Sequence, residues 1–235
     1  TGNTEPYREI KTQFNRSALG LYRQLEEKVR TASNPLEAAV RLAIAGNIID
    51  FAAMPGLKNS QVQKAVDEAL QAPLVGEGLE VFEQAIGESR QILYLGDNAG
   101  EIVFDRLLVE QLPLEKLTYV VKAEPIINDA TMEDARATGL TEIVEVIDNG
   151  GDAPGTILGE CSEDFQRRFE AADMIIAKGQ GNFETLSDAP GNIFFLLMAK
   201  CPMIAKEIGC EVGNLVLKAG GSRRAVANEV EISVA

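Results

Sequence analysis

Between residue 7 and about residue 89, apolar positions recur at spacings of three and four, the period of helices that bury one face. Two helix starts are legible there. Asn34-Pro35-Leu36-Glu37 offers a capping residue, a proline at the first helical position and an acid three residues on, and Ser60-Gln61-Val62-Gln63 forms a second box. After Gln91 the period changes. Short apolar runs at 92–95, 117–121, 142–147, 174–177, 193–197 and 215–217 predict strands, and the stretches at about 101–111, 131–138, 162–171 and 203–208 predict helices between them. Runs such as ILYL and MIIA show no alternation, as expected of parallel strands covered on both faces. The pattern predicts an α/β protein: a three-layer α/β/α, doubly wound, mostly parallel sheet over residues 90–235, preceded by a helical subdomain over residues 1–89. In such sheets ligands sit beyond the carboxyl ends of the strands, so chemistry is sought in the residues that follow each one.

Composition then narrows the chemistry. With 22 Lys and Arg against 36 Asp and Glu the formal charge is −14, a field that repels nucleic acid and anionic lipid, so neither is expected as a partner. The chain has no histidine. Ser-His-Asp and Cys-His catalysis are thereby excluded, as are His-based zinc and non-haem iron sites. Acid–base work falls to carboxylates, Lys, Tyr, Cys or metal-bound water, and a cation held by Asp and Asn oxygens would be a hard one. Cys161, Cys201 and Cys210 are odd in number and form no CxxC, which points to a reducing compartment and to small apolar residues rather than nucleophiles. No run is long enough to cross a bilayer, and TGNTEPYREIK lacks a signal-peptide core, so a cytoplasmic location is expected. The chain opens on Thr1 rather than Met, as a trimmed form of a longer one would.

Three strand ends carry candidate chemistry. The first strand runs into Gly96-Asp97-Asn98-Ala99-Gly100-Glu101, which is either a polar turn that caps a helix or a cation site; it lacks the GxGxxG spacing of a nucleotide loop and places an anion where phosphate would need free amides. The second leads through Lys122-Ala123-Glu124-Pro125 to Asn128-Asp129, so that a second acid arrives at a strand-to-helix junction, unless Asn128 and Asp129 only prepare the helix capped by Thr131. The third is Lys178-Gly179-Gln180-Gly181-Asn182, whose glycines let amides close on an anion beside an ammonium group; the alternative is a plain turn with Lys178 reaching to water. Within the helical segment, Asn47 and Asp50 are polar residues in an apolar stretch and need partners there or at the site.

Taken together, EPYREIK, AGNIIDF, GDNAGEIVFD, KAEPIINDATMEDA, IDNGGDAPGT, AKGQGNFETL and Lys200-Cys201-Pro202, in that order along most of the chain, resemble the damage-control phosphatase family (domain of unknown function 89), in particular its small stand-alone prokaryotic branch. The resemblance implies an α/β/α domain with a helical N-terminal part. It also implies a divalent metal, Mn²⁺ or Mg²⁺ with Co²⁺ or Ni²⁺ as alternatives, held by Asp97, Asn98 and Asp129. Lys178 would meet the substrate phosphate, with Asn47 and Asp50 near the pocket. The branch begins with a further helix bearing a Cys-rich motif, which this sequence lacks.

The expected activity is metal-dependent hydrolysis of small phosphorylated metabolites, sugar phosphates or damaged phospho-metabolites. A metal-activated water attacks phosphorus, while Lys178, the amides of Gly179 to Gly181 and Asn182 bind the phosphoryl group. Asp97 and Asp129 are essential, and Glu101 or Asp50 accepts the proton. Two rival readings are an S-adenosylmethionine-dependent carboxyl methyltransferase, from the superficial likeness of ILYLGDNAGE to that cofactor's first motif, and a metal- or phosphate-binding protein without turnover.

Overall fold

A computed structural model describes residues 5–46 and 59–220. In chain order the elements are α1 (Arg8–Thr31), α2 (Pro35–Ala45), α3 (Asn59–Gln71), β1 (Leu74–Gly76), α4 (Leu79–Glu88), β2 (Ile92–Leu95), α5 (Glu101–Val109), β3 (Leu117–Val121), α6 (Met132–Ala137), β4 (Glu145–Asp148), α7 (Glu163–Ala171), β5 (Met174–Lys178), α8 (Gly179–Leu186), β6 (Ile193–Met198), α9 (Pro202–Ile208) and β7 (Leu215–Gly220). Helix starts follow local chemistry. The Asn34 side chain accepts from the Glu37 amide at 3.0 Å, with Pro35 at the first turn, while the Glu37 carboxylate turns to Arg41 instead of closing the box. Thr131 and Asp134 complete a reciprocal capping box at α6, and Ser162 caps α7. Ser60 lies inside α3, one residue past its start.

The strands form one sheet in the order β1-β7-β6-β5-β2-β3-β4, parallel except where β6 meets β7. Successive residues of β2 serve opposite layers: Ile92 and Tyr94 join the core with α1, α2 and α5, whereas Leu93 and Leu95 join the core with α7, α8 and α9. Burial on both faces explains the unbroken apolar run. The first three helices share that first core with the sheet, and α1 and α2 pack directly on α5.

Two elements depart from the sequence pattern. β1 lies within the stretch read as helical and pairs in parallel with β7 at the sheet edge; three residues are too few to show a period of two. The strand expected at 142–147 begins later, at Glu145, because Gly139 ends α6 in a left-handed conformation and Leu140–Glu142 forms a 3₁₀ turn. The topology locates the site. From β2 the chain moves to β3 on one side, while β5 returns on the other, so a crevice opens beyond the ends of β2 and β5, where Asp97 and Gly179 follow.

Candidate active site

Asp97 and Asn98 leave the end of β2, and Asp129 arrives from the loop after β3. An isolated antiparallel bridge joins Asn98 to Asp129, closed by the Ala99 amide on the Asn128 carbonyl and the Ala130 amide on the Asp97 carbonyl, each at 2.8 Å. In such a non-hydrogen-bonded pair the Cα atoms are about 4.5 Å apart and the side chains share a face. The Asn98 amide nitrogen donates to Asp97 Oδ2 at 2.8 Å and lies 3.3 Å from Glu101 Oε2, which turns its amide oxygen away from both acids. Helix α1 fixes this arrangement from behind: Asn15 accepts from the Gly100 amide at 2.7 Å and donates to Asp134 at 2.8 Å, and Lys11 pairs with Asp134 at 2.8 Å. The two crossover loops are thus tied to each other and to one helix.

Beneath them lies a buried charge cluster. Lys178 is fully buried, and its ammonium donates to Glu101 Oε1 at 2.7 Å, to Asp105 Oδ1, and to the Ala43 carbonyl at 2.8 Å. Asp105 also accepts from Tyr94 at 2.9 Å and Tyr119 at 2.7 Å, two rings stacked at 4.9 Å. Burial alone would lower the Lys178 pKa, but Asp105 and Glu101 outweigh it and keep the group charged. One ammonium cannot offset all the acids around it. Burial raises the Glu101 carboxyl well above its ordinary range despite Lys178, and burial followed by the charge of Asp129 does the same to Asp97. Burial pushes Asp129 up to about 6, opposed by Lys122 and Lys11.

The structure therefore brings Asp97, Asn98, Glu101 and Asp129 together. It places Lys178 differently from the sequence expectation. All three donors of its ammonium are taken by protein acceptors, so it is neither a turn lysine reaching for water nor an ammonium with a donor to spare. The glycine-rich segment after β5 is the first turn of α8 rather than a loop, so the amides of Gly179, Gln180 and Gly181 belong to a helix N-terminus. Gly179 has φ 79°, and a Cβ there would overlap Asp97 Oδ2, so the helix end meets the carboxylate only because no side chain intervenes. Asn182 is buried and satisfied within the fold: it accepts from Thr156 at 2.7 Å and donates to the Lys178 carbonyl at 2.8 Å. Asn47 and Asp50 lie outside the described residues.

Sequence reasoning missed Asp105, Lys122 and Asn15. A signal existed for the first, since Glu101 and Asp105 stand one helical turn apart in the otherwise apolar EIVFD, on one face. Lys122 sits just past the end of β3, as Lys178 ends β5; its buried ammonium donates to the Gly155 carbonyl and itself lies 3.9 Å from Asp129 Oδ2. Gly155, at φ 70°, packs so closely on the first turn of α8 that a Cβ would overlap the Gly181 carbonyl. A separate cleft of about 270 Å³ between α1 and α6, lined by Arg8, Lys11, Asn15 and Glu133 among others, touches this region only from the outer side, and neither Asp97 nor Asp129 lines it.

Among the described residues no three Cys, Asp or Glu side chains gather into a ready-made metal site. The set at hand is two carboxylates and one amide. The carboxylate oxygens fit a hard divalent cation, which the Asn98 amide oxygen would join once its side chain turns over, and Asp97 and Asp129 repel each other in a buried setting that such a charge would relieve.

The doubly wound sheet sets paired acids and a helix N-terminus at its switch point, where ligands of open α/β sheets bind. The family model of the damage-control phosphatase ARMT1-like domain matches residues 1–216. A damage-control phosphatase of Archaeoglobus fulgidus is 40% identical over 227 residues, covering 92% of this chain and 76% of that protein. One of Pyrococcus horikoshii is 39% identical over 220 residues, with 92% and 75% covered. The crystal structure of a DUF89 family protein of Pyrococcus horikoshii has a TM-score of 0.83 at 37% identity and covers 93% of this chain and 76% of that one. The chain belongs to the damage-control phosphatase family. Phosphatase is the enzyme class that goes with it, and the methyltransferase reading loses its support.

Proposed function

We propose that the chain is a divalent-metal-dependent phosphomonoester hydrolase acting on small phosphorylated metabolites, sugar phosphates or damaged phospho-metabolites. The observation that carries this reading is the Asn98–Asp129 bridge, which joins the two acid-bearing crossovers while Asp97 abuts the first residue of α8. Asp97, Asn98 and Asp129 would hold Mn²⁺ or Mg²⁺, which when bound supplies Lewis-acid polarisation and lowers the pKa of a water. The first-turn amides of α8 favour negative charge where it grows on the equatorial phosphoryl oxygens. Glu101, with Oε1 on Lys178, is held by burial in a range where Oε2 can take or return a proton. Lys178 fixes Glu101 and Asp105 from below, and Asn182 fixes the start of α8.

The test is a screen of sugar phosphates and phosphorylated cofactor precursors against Mn²⁺, Mg²⁺, Co²⁺ and Ni²⁺, with phosphate release as the readout. Release should require the metal and should vanish in folded Asp97→Ala and Asp129→Ala variants. Undiminished release in either variant, or release indifferent to a chelator, would remove the proposal.

A further inference from the structure

Two buried lysines flank the acids, and their hydrogen bonding separates them. Lys178 has a full complement: two carboxylates and a backbone carbonyl take its three donors. Among the described residues the ammonium of Lys122 makes one hydrogen bond, to the Gly155 carbonyl, and its approach to Asp129 Oδ2 at 3.9 Å is an ion pair too long for a hydrogen bond. Lys122 is only 5% exposed, so bulk water does not readily take up the donors left over. Its position is equally specific. Gly155 packs on Gly181 in the first turn of α8, and Gly179 in the same turn meets Asp97, so Lys122, Asp129 and Asp97 are gathered around one helix N-terminus.

We infer that Lys122, rather than Lys178, is the buried lysine that contacts the phosphoryl group, donating to a non-bridging oxygen that lies between Asp129 and the first-turn amides of α8. The inference rests on the phosphatase reading of this site and changes the residue that meets the substrate. A phosphoryl oxygen is the acceptor that suits a buried ammonium with spare donors, beside amides that favour the same charge. Lys178 holds the acids in place, whereas Lys122 touches the substrate. Because its carbonyl partner lies in the 149–157 loop, Lys122 also links substrate binding to that loop's seat on α8.

Three proteins decide the matter: native, Lys122→Met and Lys122→Arg, each assayed with Mn²⁺ and thermally unfolded with and without inorganic phosphate. The native protein should hydrolyse phosphomonoesters and be stabilised by phosphate. Lys122→Met should keep a folded baseline, lose that stabilisation, and turn over about 10²–10³-fold more slowly. Lys122→Arg should recover part of both. Phosphate stabilisation and kcat at native levels in Lys122→Met would overturn the inference while leaving the phosphatase reading intact, whereas a native protein that releases no phosphate would sink the reading itself. Should Lys122→Met fail to fold, the crystal structure of the native protein with Mn²⁺ and phosphate decides instead: an oxygen within hydrogen-bond distance of Lys122 Nζ supports the inference, and a phosphate that leaves Lys122 bonded only to Gly155 refutes it.

Discussion

Asn98 stands opposite Asp129 in a bridge of a single residue pair, the only link of that kind between the loop after β2 and the loop after β3 among the described residues. The link fixes Asp129 beside its neighbours by backbone bonds rather than by side-chain attraction, so two buried acids stay together although their charges repel. The geometry of the acids is therefore set before any ligand arrives.

The turn that delivers Asp129 is strained. Ile127 has φ 45°, a region a β-branched side chain rarely adopts, and at 54% exposure its side chain gains little from burial. Ile127→Gly should remove the strain and, after the added freedom of the unfolded chain, gain about 1 kcal/mol, which for this size raises Tm by about 2–4 °C. Thermal unfolding checks it, and a lowered Tm would mean that the side chain contributes more than its exposure allows.

Lys178→Met leaves Glu101 and Asp105 buried without their shared cation. Breaking such a pair from one side costs about 3–5 kcal/mol, far more than losing an exposed pair such as Arg167–Asp164. Urea unfolding of the two lysine variants should place Lys178→Met well below Lys122→Met. Equal midpoints would contradict the division of roles drawn above.

In metal-free protein the raised carboxyls make stability fall as pH rises. Asp97, Glu101 and Asp129 hold protons in the folded state at pH values where the unfolded chain, with ordinary carboxyls near 4, has released them. Folded protein thus binds more protons than unfolded, and the slope of unfolding free energy with pH is negative. For Asp129 the stabilisation is complete below about 4 and lost by about 6, the other two acids extending the window upward. Tm measured in chelator should decline more steeply across this window for native protein than for Asp129→Asn, and parallel profiles would show that Asp129 titrates like an exposed acid.

How much of this was legible in the sequence depends on whether the information was local. Ile92–Leu95, Leu117–Val121 and the starts at Asn34, Thr131 and Ser162 follow from short-range patterns, and the structure has them where expected. Asp97 and Asp129 could be placed on the ligand side because each directly follows a strand or its loop. Hydrogen-bond partners could not be read in this way. Whether Lys178 reaches a substrate or a carboxylate depends on Glu101 and Asp105, more than 70 positions away in sequence on α5. Likewise β1 exists only because β7, about 140 residues later, offers it an edge.

Manganese binding tests the central claim most directly. Titration of Mn²⁺ into metal-free protein, followed by calorimetry, should show one site in the native chain. Asp97→Asn and Asp129→Asn should each weaken it by at least about 10–100-fold, since losing a group that merely hydrogen-bonds a metal ligand reaches that range and both acids are proposed here as ligands themselves. If either variant binds Mn²⁺ as tightly as the native protein, the two acids do not share a cation and the site must be assigned elsewhere.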